Sequence, residues 1–350
     1  MNKTFKIGKK TVGIDAPAFI VAEMSANHNQ DYHRALEIIH AAKEAGADAI
    51  KLQTYTADTI TLDCEDECFQ INGGTIWDGT TLYKLYQEAY TPWEWQPRLK
   101  EEAEKIGLEC FSSPFDFTSV DFLEDMNVPA YKIASYEIND IPLIRKIARL
   151  HKPMIFATGI AYPEDIERAL LVCKEEGNED IILLKCVSSY PTPYEDVNLR
   201  VIPSLAGTYD CLTGISDHTM GTIVSAGAIP LGAKMVEKHF TLHRSDKGPD
   251  SAFSMEPSEF KQMVEEIRIL EKALGSSEYV LTDTQKTEHQ GSRSLFVVKD
   301  IEKGELLTPE NIRSIRPGNG LHTMYYEKVL GKRAVRHLKK GTPLAWELIE

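Results

Sequence analysis

The chain has 350 residues, of which 42% are hydrophobic and 26% charged, which is ordinary for a globular protein and leaves room for a large domain and a small one. Its formal net charge of −14 argues against general affinity for nucleic acid or anionic membranes, because both are bound through clustered Lys and Arg. No apolar run approaches the roughly 20 residues that cross a bilayer, and the first residues lack a signal-peptide pattern, so we expect a cytoplasmic protein.

Eight short apolar segments, each predicted to be a buried strand, alternate with helical patterns from about residue 18 to residue 273. Strand and helix in steady alternation predict a parallel sheet. Eight such units favour a closed (β/α)₈ TIM barrel over an open doubly wound sheet, and no GxGxxG follows the first strand. The predicted strands are 19–23, 49–53, 108–112, 130–134, 153–158, 181–186, 211–216 and 233–240.

Three segments stand apart from this alternation. Residues 54–92 are longer than a normal connection and are predicted to form a functional loop at the barrel mouth. Residues 275–291 are polar without periodicity and are predicted to be a linker between a catalytic barrel, 1–274, and a small domain, 292–350. The small domain contains two similar phrases, DIEKGELLTPENI and HLKKGTPLAWELI, which predict a compact β-rich fold with a pseudo-repeat.

The six cysteines show no spacing that is typical of a zinc site, so we expect reduced thiols. Cys64 and Cys68 are the one close pair, for which a metal or redox role is the alternative.

Every predicted strand ends in polar side chains, and the active site of a TIM barrel lies at these carboxyl ends. Lys and Glu are almost never buried without partners, so their presence in apolar strands needs a reason. A functional site is one explanation, and a ring of salt bridges at the barrel mouth is the other. The residues are Glu23, Lys51, Gln53, Ser112, Ser113, Lys132, Ser135, Thr158, Lys185, Ser188, Ser216, Asp217, His218, Glu237 and His239.

The three lysines Lys51, Lys132 and Lys185, together with hydroxyl groups such as those of Ser113, Ser135 and Thr158, predict a pocket for phosphate or carboxylate. A lysine that forms a Schiff base, as in lysine-dependent aldolases, is the competing interpretation.

Two histidines, His218 and His239, close neighbouring strands. Imidazoles in such positions can converge on one divalent ion and leave room for substrate oxygen and water. The alternative is that each is an ordinary hydrogen-bonded histidine. Asn27, His28 and Asn29 follow the first strand and add polar groups whose roles the spacing does not fix.

The chain resembles the sialic acid synthase family over nearly its whole length, including the small domain, which is similar to the antifreeze-like (SAF) domain of those enzymes. Residues 71–95 are most similar to the branch that makes pseudaminic acid. The motifs that carry the resemblance are AEMSANHN, DAIKLQTYT, SSPFD, YKIAS, SSYPTP, GISDHT, EKHFT and RPGNG.

This resemblance implies a condensation of phosphoenolpyruvate with an open-chain amino sugar. Carbon 3 of phosphoenolpyruvate attacks the sugar aldehyde, water adds at carbon 2, and phosphate leaves by C–O cleavage without a Schiff base. It also implies Mn²⁺ or Mg²⁺ bound by His218 and His239, which would hold and polarise the aldehyde.

The resemblance assigns expected roles to the remaining residues. Glu23 would be a general base or a sugar ligand, and Asp217 and Glu237 are expected to be catalytic residues beside it. The expected sugar contacts are Gln53, Asn27 and Tyr190. Ser188 stands where the family has asparagine. The expected phosphoenolpyruvate contacts are Lys51, Ser113, Lys132, Ser135, Thr158, Ser188 and Ser216.

Arg316 in RPGNG matches an arginine that, in the sialic acid enzymes, reaches from the SAF domain of one subunit into the barrel of its partner. The resemblance therefore implies a domain-swapped homodimer, whereas a surface salt bridge is the plainer interpretation of this arginine.

Two other functions stay open at this stage. An N-acetylneuraminate or legionaminate synthase uses a different hexosamine and would differ only in the sugar pocket. There, a sugar with a methyl in place of a hydroxyl at carbon 6 would favour apolar contacts, such as Trp77, Trp93 or Trp95, over hydrogen-bonding ones. A noncatalytic carbohydrate-binding protein could keep the same fold.

Overall fold

The computed structural model describes residues 1–350 as two compact units, Met1–Gly275 and Ser276–Glu350. In the first unit, eight parallel strands, β3 to β10, close into a barrel in which β10 pairs with β3. The predicted TIM-barrel fold is confirmed, and each predicted strand matches a barrel strand to within two residues. The strands of this unit are β1 Thr4–Ile7, β2 Lys10–Gly13, β3 Phe19–Glu23, β4 Ala49–Thr54, β5 Glu109–Pro114, β6 Tyr131–Ile133, β7 Met154–Ala157, β8 Ile181–Cys186, β9 Leu212–Asp217 and β10 Met235–His239.

Strands β1 and β2 form an antiparallel hairpin that the sequence analysis did not predict. The turn runs through Gly8, whose φ of 58° lies in the left-handed region that glycine tolerates best. Phe5, Ile7 and Val12 are buried in one cluster with the apolar side chains inside the barrel. The hairpin therefore closes the amino-terminal end of the barrel, and the open end is the carboxyl-terminal one.

The helices pack around the barrel through apolar faces. In α1, for example, the Asp31 carboxylate accepts the backbone N–H groups of His33 and Arg34, and the helix buries Ile38 and Ile39, which stabilises the fold by about 1.5–3 kcal/mol for each isoleucine. No helix in the molecule has the length and apolarity needed to traverse a lipid bilayer. The helices are α1 Tyr32–Glu44, α2 Ala57–Ile60, α3 Leu82–Ala89, α4 Gln96–Lys105, α5 Phe117–Asp125, α6 Ile141–Ala148, α7 Pro163–Glu175, α8 Val201–Tyr209, α9 Ile223–Ala228 and α10 Pro257–Leu274.

The second unit contains α11 Asp283–His289, the antiparallel strands β11 Ser294–Val297 and β12 Ile312–Ile315, and α12 Tyr326–Val329. Its two similar phrases pair with each other, since Ile301 and Leu338 exchange two backbone hydrogen bonds of 2.9 Å. The Lys-Gly turn of each phrase places Gly304 and Gly341 in the left-handed region, at φ 82° and 90°. The pseudo-repeat is thus a pair of matching turns around one small core.

The barrel interior changes from apolar to polar toward the open end. Side chains of a strand alternate between its two faces, so the residues two positions beyond Val21, Ala49, Phe111 and Met235, which are buried in the apolar layer, also point inward. Those residues are Glu23, Lys51, Ser113 and Glu237. The fold therefore places these charged and hydroxyl groups above a dry apolar layer at the open end.

Candidate active site

A cluster of buried charges lies at the centre of the barrel mouth. Glu237 Oε1 accepts hydrogen bonds from Lys51 Nζ at 2.7 Å, Lys132 Nζ at 2.7 Å and Ser216 Oγ at 3.1 Å. Lys51 Nζ also lies 3.1 Å from Glu23 Oε2. Each of these five residues is at most 4% exposed. The predicted salt bridges thus exist, but they form one inward-facing cluster rather than a surface ring.

The two glutamates of this cluster differ in their ionisation. Although burial opposes charge, the Lys132 and Lys51 ammonium groups hold the pKa of Glu237 well below its usual range. Burial raises the pKa of Glu23 to about 7 in spite of the nearby Lys51. Near neutral pH the two ammonium groups therefore face one full negative charge and one that is only partly formed, which leaves positive charge for an anionic substrate.

Hydroxyl groups form a cradle beside the lysines. The backbone N–H of Gly159 donates to Ser135 Oγ at 3.2 Å, and a Cβ on Gly159 would stand 2.3 Å from Ser188 Oγ and 2.7 Å from Ser135 Oγ. A side chain at this position would displace these hydroxyls. The buried hydroxyls of Ser113 and Ser188 have no hydrogen-bond partner, so they are free to donate to phosphate or carboxylate oxygen.

The rings of His218 and His239 lie side by side with centroids 5.3 Å apart. His218 Nδ1 is 2.9 Å from the carbonyl oxygen of Val187, a contact that assigns the proton to Nδ1 and leaves Nε2 as a lone-pair donor. His239 Nδ1 is buried without a partner. Burial, with His218 and Lys51 nearby, lowers the pKa of His239 well below its usual range, so the ring is neutral.

These two imidazoles fit a divalent ion, since each carries a free nitrogen lone pair in its neutral form. Although burial opposes its charge, the neighbouring Cys186 raises the pKa of His218, so a metal would more often have to displace a proton there than at His239. No group of three or more His, Cys, Asp or Glu side chains is arranged to hold a metal. Two protein ligands would therefore leave the remaining coordination positions to substrate and water.

An aromatic wall, formed by Trp77, Tyr190 and Phe253, borders the histidine pair. The Tyr190 ring lies 4.3 Å from that of His218, and the Phe253 ring 4.9 Å from that of His239. Trp77 packs behind them, 5.6 Å from Tyr190 and 6.3 Å from Phe253. The site thus has one apolar side beside its charged centre.

A chain of polar groups leads away from Glu23 on another side. Gln53 Nε2 donates to Glu23 Oε1 at 2.9 Å and to Ser25 Oγ at 3.0 Å, and Ser25 in turn donates to the buried carboxylate of Asp250. Burial raises the pKa of Asp250. The sequence analysis missed Ser25 and Asp250 because both lie beyond the strand ends that were searched, Ser25 in a short 3-10 helix after β3 and Asp250 in the segment after β10.

Cys186 is a third site residue whose place the sequence did not indicate. Its sulfur lies 3.9 Å from His218 Nδ1 and accepts a hydrogen bond from Ser135 Oγ at 3.7 Å. Although burial opposes ionisation, His218 and Lys132 lower the pKa of this thiol to about 7. Cys186 is therefore part of the site rather than an ordinary core cysteine.

Asp217 is placed differently from the expected substrate contact. Its carboxylate accepts hydrogen bonds from Lys238 Nζ at 2.8 Å, Ser225 Oγ at 2.6 Å and Thr219 Oγ1 at 2.7 Å. Ser216 on the same strand points inward, so Asp217 points out of the barrel. Asp217 is therefore not placed to contact substrate, and it forms a buried pair with Lys238 behind the site.

Asn27 also lacks free groups for a sugar. Its amide nitrogen donates to the Phe240 carbonyl at 3.0 Å and to Ser254 Oγ at 2.9 Å, while its oxygen accepts from Ser251 Oγ at 3.1 Å. The side chain joins the loops that follow β3 and β10. His28, which is buried against Thr91 at 3.1 Å, likewise lies outside the site.

Two further predicted residues bind to backbone instead of facing open space. Thr158 Oγ1 donates to the Leu184 carbonyl at 3.1 Å, and Lys185 Nζ donates to the Cys186 carbonyl at 2.7 Å. In the second unit, Arg316 is exposed and directly follows β12.

Buried lysines and free hydroxyls for an anion, with a pair of imidazoles for a divalent ion, define an enzyme site at the mouth of a TIM barrel. The chain belongs to the NeuB family, whose model matches residues 38–279, and the SAF domain matches residues 292–350. The predicted resemblance to this family is confirmed.

Two relatives and one solved structure place the chain within the family. The pseudaminic acid synthase of Helicobacter pylori is 48% identical, over 95% of this chain and 98% of its own length. The N,N'-diacetyllegionaminic acid synthase of Legionella pneumophila is 36% identical, over 98% of both chains. The spore coat polysaccharide biosynthesis protein SpsE of Bacillus subtilis is similar at a TM-score of 0.67, with 36% identity and 99% coverage of both chains.

Proposed function

We propose that this chain is a transferase that condenses phosphoenolpyruvate with 2,4-diacetamido-2,4,6-trideoxy-L-altrose and releases phosphate to give pseudaminic acid. The observation that carries the proposal is the buried cluster of Lys51, Lys132 and Glu237 beside the pair His218 and His239. The high identity to a pseudaminic acid synthase supports this sugar over that of the legionaminic branch.

Phosphoenolpyruvate would bind where the positive charge and the free hydroxyls meet. Lys51 and Lys132 would hold its carboxylate and phosphate, with hydroxyl donors from Ser113, Ser135 and Ser188. Glu237 keeps both ammonium groups within 2.7 Å of one oxygen and so fixes their position before substrate enters. Its other oxygen is buried without a partner and can accept a hydrogen bond from substrate or water.

The reaction joins carbon 3 of phosphoenolpyruvate to the aldehyde carbon, adds water at carbon 2, and breaks the bond between carbon 2 and the phosphate oxygen. A divalent ion, Mn²⁺ or Mg²⁺, held by His218 and His239 would supply polarisation of the aldehyde oxygen. Glu23, with a pKa of about 7, is suited to take the proton from the attacking water.

We further propose a homodimer in which the SAF domain of each subunit reaches the barrel of its partner, after a linker formed by residues 275–291. A rim of large apolar side chains, all exposed, follows five successive barrel strands and would be covered by such a partner. The enzyme would work in the cytoplasm, where phosphoenolpyruvate is produced. The rim residues are Phe117, Tyr136, Tyr162, Tyr194 and Ile223.

Replacing Arg316 with alanine is expected to raise the KM for the sugar about tenfold or more, because a charge-assisted hydrogen bond to the sugar would be lost. The KM for phosphoenolpyruvate should stay unchanged. Steady-state kinetics with each substrate varied in turn measure both constants. Arg313→Ala serves as the control, because Arg313 is an exposed arginine on β12, the strand that Arg316 follows. An unchanged sugar KM in Arg316→Ala would refute the role of this residue.

Phosphate release from phosphoenolpyruvate in the presence of Mn²⁺ tests the proposed function. The assay compares the diacetamido-altrose sugar with N-acetylmannosamine and with the diacetamido-mannose analogue, and mass spectrometry identifies the product. We expect turnover with the altrose sugar alone. Preference for another sugar would assign the chain to a different branch, and no turnover with any of them would point to a noncatalytic binding protein.

A further inference from the structure

We infer that Trp77 determines the preference of the site for a sugar that ends in a methyl group at carbon 6 rather than a hydroxymethyl group. The inference rests on the proposed function, and it assigns the end of the sugar chain to a particular side chain.

A turn in the long segment after β4 fixes the position of Trp77. The backbone N–H of Ile71 donates to the Thr80 carbonyl at 2.9 Å, and the Asp78 carboxylate accepts the backbone N–H groups of Gly74 and Thr75, each at 2.8 Å. At the tip of this turn the indole N–H of Trp77 donates to the Pro249 carbonyl at 2.9 Å. The ring is thereby tied to the loop that follows β10.

Trp77 lies one aromatic ring further from the histidines than Tyr190 and Phe253 do. The rings of Tyr190 and Phe253 contact the histidines, and Trp77 forms the next layer, 5.6 Å from Tyr190. An extended chain from carbon 1 to carbon 6 has five bonds and spans about 6 Å, since three bonds of an extended backbone span about 3.5 Å. A sugar with its aldehyde at His218 and His239 and its chain along the aromatic wall would end at Trp77.

The other tryptophans of this region do not reach the site. Trp93 packs at 4.8 Å on Phe122, and its N–H donates to the Tyr55 carbonyl. Trp95 packs against His28, with ring centroids 5.7 Å apart. Of the three tryptophans that the sequence suggested for the sugar pocket, Trp77 is the one that packs on Tyr190 and Phe253, the two rings that contact the histidine pair.

The chemistry of Trp77 suits a methyl group. Its only polar group, the indole N–H, already donates to Pro249, so the ring offers no partner to a hydroxyl at carbon 6. A sugar hydroxyl that gives up its hydrogen bonds to water and finds no new partner in the protein is disfavoured, whereas a methyl group gains from apolar contact. The turn thus presents an apolar surface at the end of the sugar where the two classes of substrate differ.

A matched pair of sugars tests the inference: 2,4-diacetamido-2,4,6-trideoxy-L-altrose and its 6-hydroxy analogue, 2,4-diacetamido-2,4-dideoxy-L-altrose. The ratio of their kcat/KM values is measured for the unaltered chain, Trp77→Ala, Trp77→Tyr and the control Trp93→Phe. We expect the ratio to fall about tenfold in Trp77→Ala and to fall in Trp77→Tyr, whose phenol offers a hydrogen bond. The ratio in Trp93→Phe and the KM for phosphoenolpyruvate should not change.

The outcomes separate the inference from the proposed function. An unchanged ratio in active Trp77→Ala and Trp77→Tyr proteins, or an equal loss with both sugars, overturns the role of Trp77 and leaves the proposed function intact. If Trp77→Ala fails to fold, the ratio measured for Trp77→Tyr decides between these outcomes. No turnover of either altrose sugar by the unaltered chain rejects the proposed function and the inference with it.

Discussion

The His239→Ala protein is expected to release phosphate at least about a thousandfold more slowly than the unaltered chain. A bound metal contributes several kcal/mol to stabilising charge in the transition state, and each 1.4 kcal/mol corresponds to a factor of ten in rate. His239 Nδ1 is buried without a partner, so removal of the ring breaks no hydrogen bond at that nitrogen. The fold should therefore survive while Mn²⁺ binding is lost.

Three measurements check this expectation: phosphate release, Mn²⁺ binding by electron paramagnetic resonance, and circular dichroism. His243→Ala is the matched control, because His243 is an exposed histidine only four residues after His239, in the loop that follows β10. Normal Mn²⁺ binding and turnover in His239→Ala would refute the assignment of this residue as a metal ligand.

The Lys238→Met protein is expected to lose about 3–5 kcal/mol of unfolding free energy, the usual cost of removing one partner from a buried ion pair. The side chains of Lys238 and Asp217 are each 1% exposed and lie 2.8 Å apart. Without the ammonium group, the Asp217 carboxylate would stay buried with only hydroxyl and backbone donors.

Urea unfolding measures this loss, and two variants sharpen its meaning. Asp217→Asn/Lys238→Met should regain part of the stability, because it leaves no unpaired buried charge. Lys286→Met removes an exposed pair with Asp283 and should change stability by less than about 1 kcal/mol. A Lys238→Met protein within about 1 kcal/mol of the unaltered chain would show that the buried pair contributes little.

Much of the barrel could be predicted because parallel strands buried on both faces are short apolar runs, and helices that cover them repeat every 3.6 residues. Each predicted strand was therefore found. The same logic placed Glu23, Lys51, Lys132, Ser216 and Glu237 together, since parallel strands bring their carboxyl ends to one edge of the barrel.

The errors have equally physical causes. The prediction of Asp217 as a site residue ignored the period of two along a strand, which puts Asp217, like its partner Lys238, on the opposite face from His218 and His239. The hairpin of β1 and β2 was missed because its strands, TFKI and KTVG, contain polar residues and are not the apolar runs by which the barrel strands were identified.

Some residues outside the strands, such as Asp250 and Gly159, could not be found from the sequence. Asp250 joins the site only because the loop after β10 folds back over Ser25. The reason for a glycine at position 159 is visible only in the structure, where a side chain would displace the nearby hydroxyls. Such contacts depend on the path of irregular backbone, for which no periodic pattern exists.

The location of an isotope label tests the central claim most directly. Phosphoenolpyruvate carrying ¹⁸O at the atom that joins carbon 2 to phosphorus is incubated with the enzyme, Mn²⁺ and the diacetamido-altrose sugar, and both products are analysed by mass spectrometry. The proposed condensation breaks the bond between carbon 2 and this oxygen, so the label should appear in the released phosphate and be absent from the nine-carbon sugar. Label retained in the sugar, or no nine-carbon product, would contradict the proposed reaction.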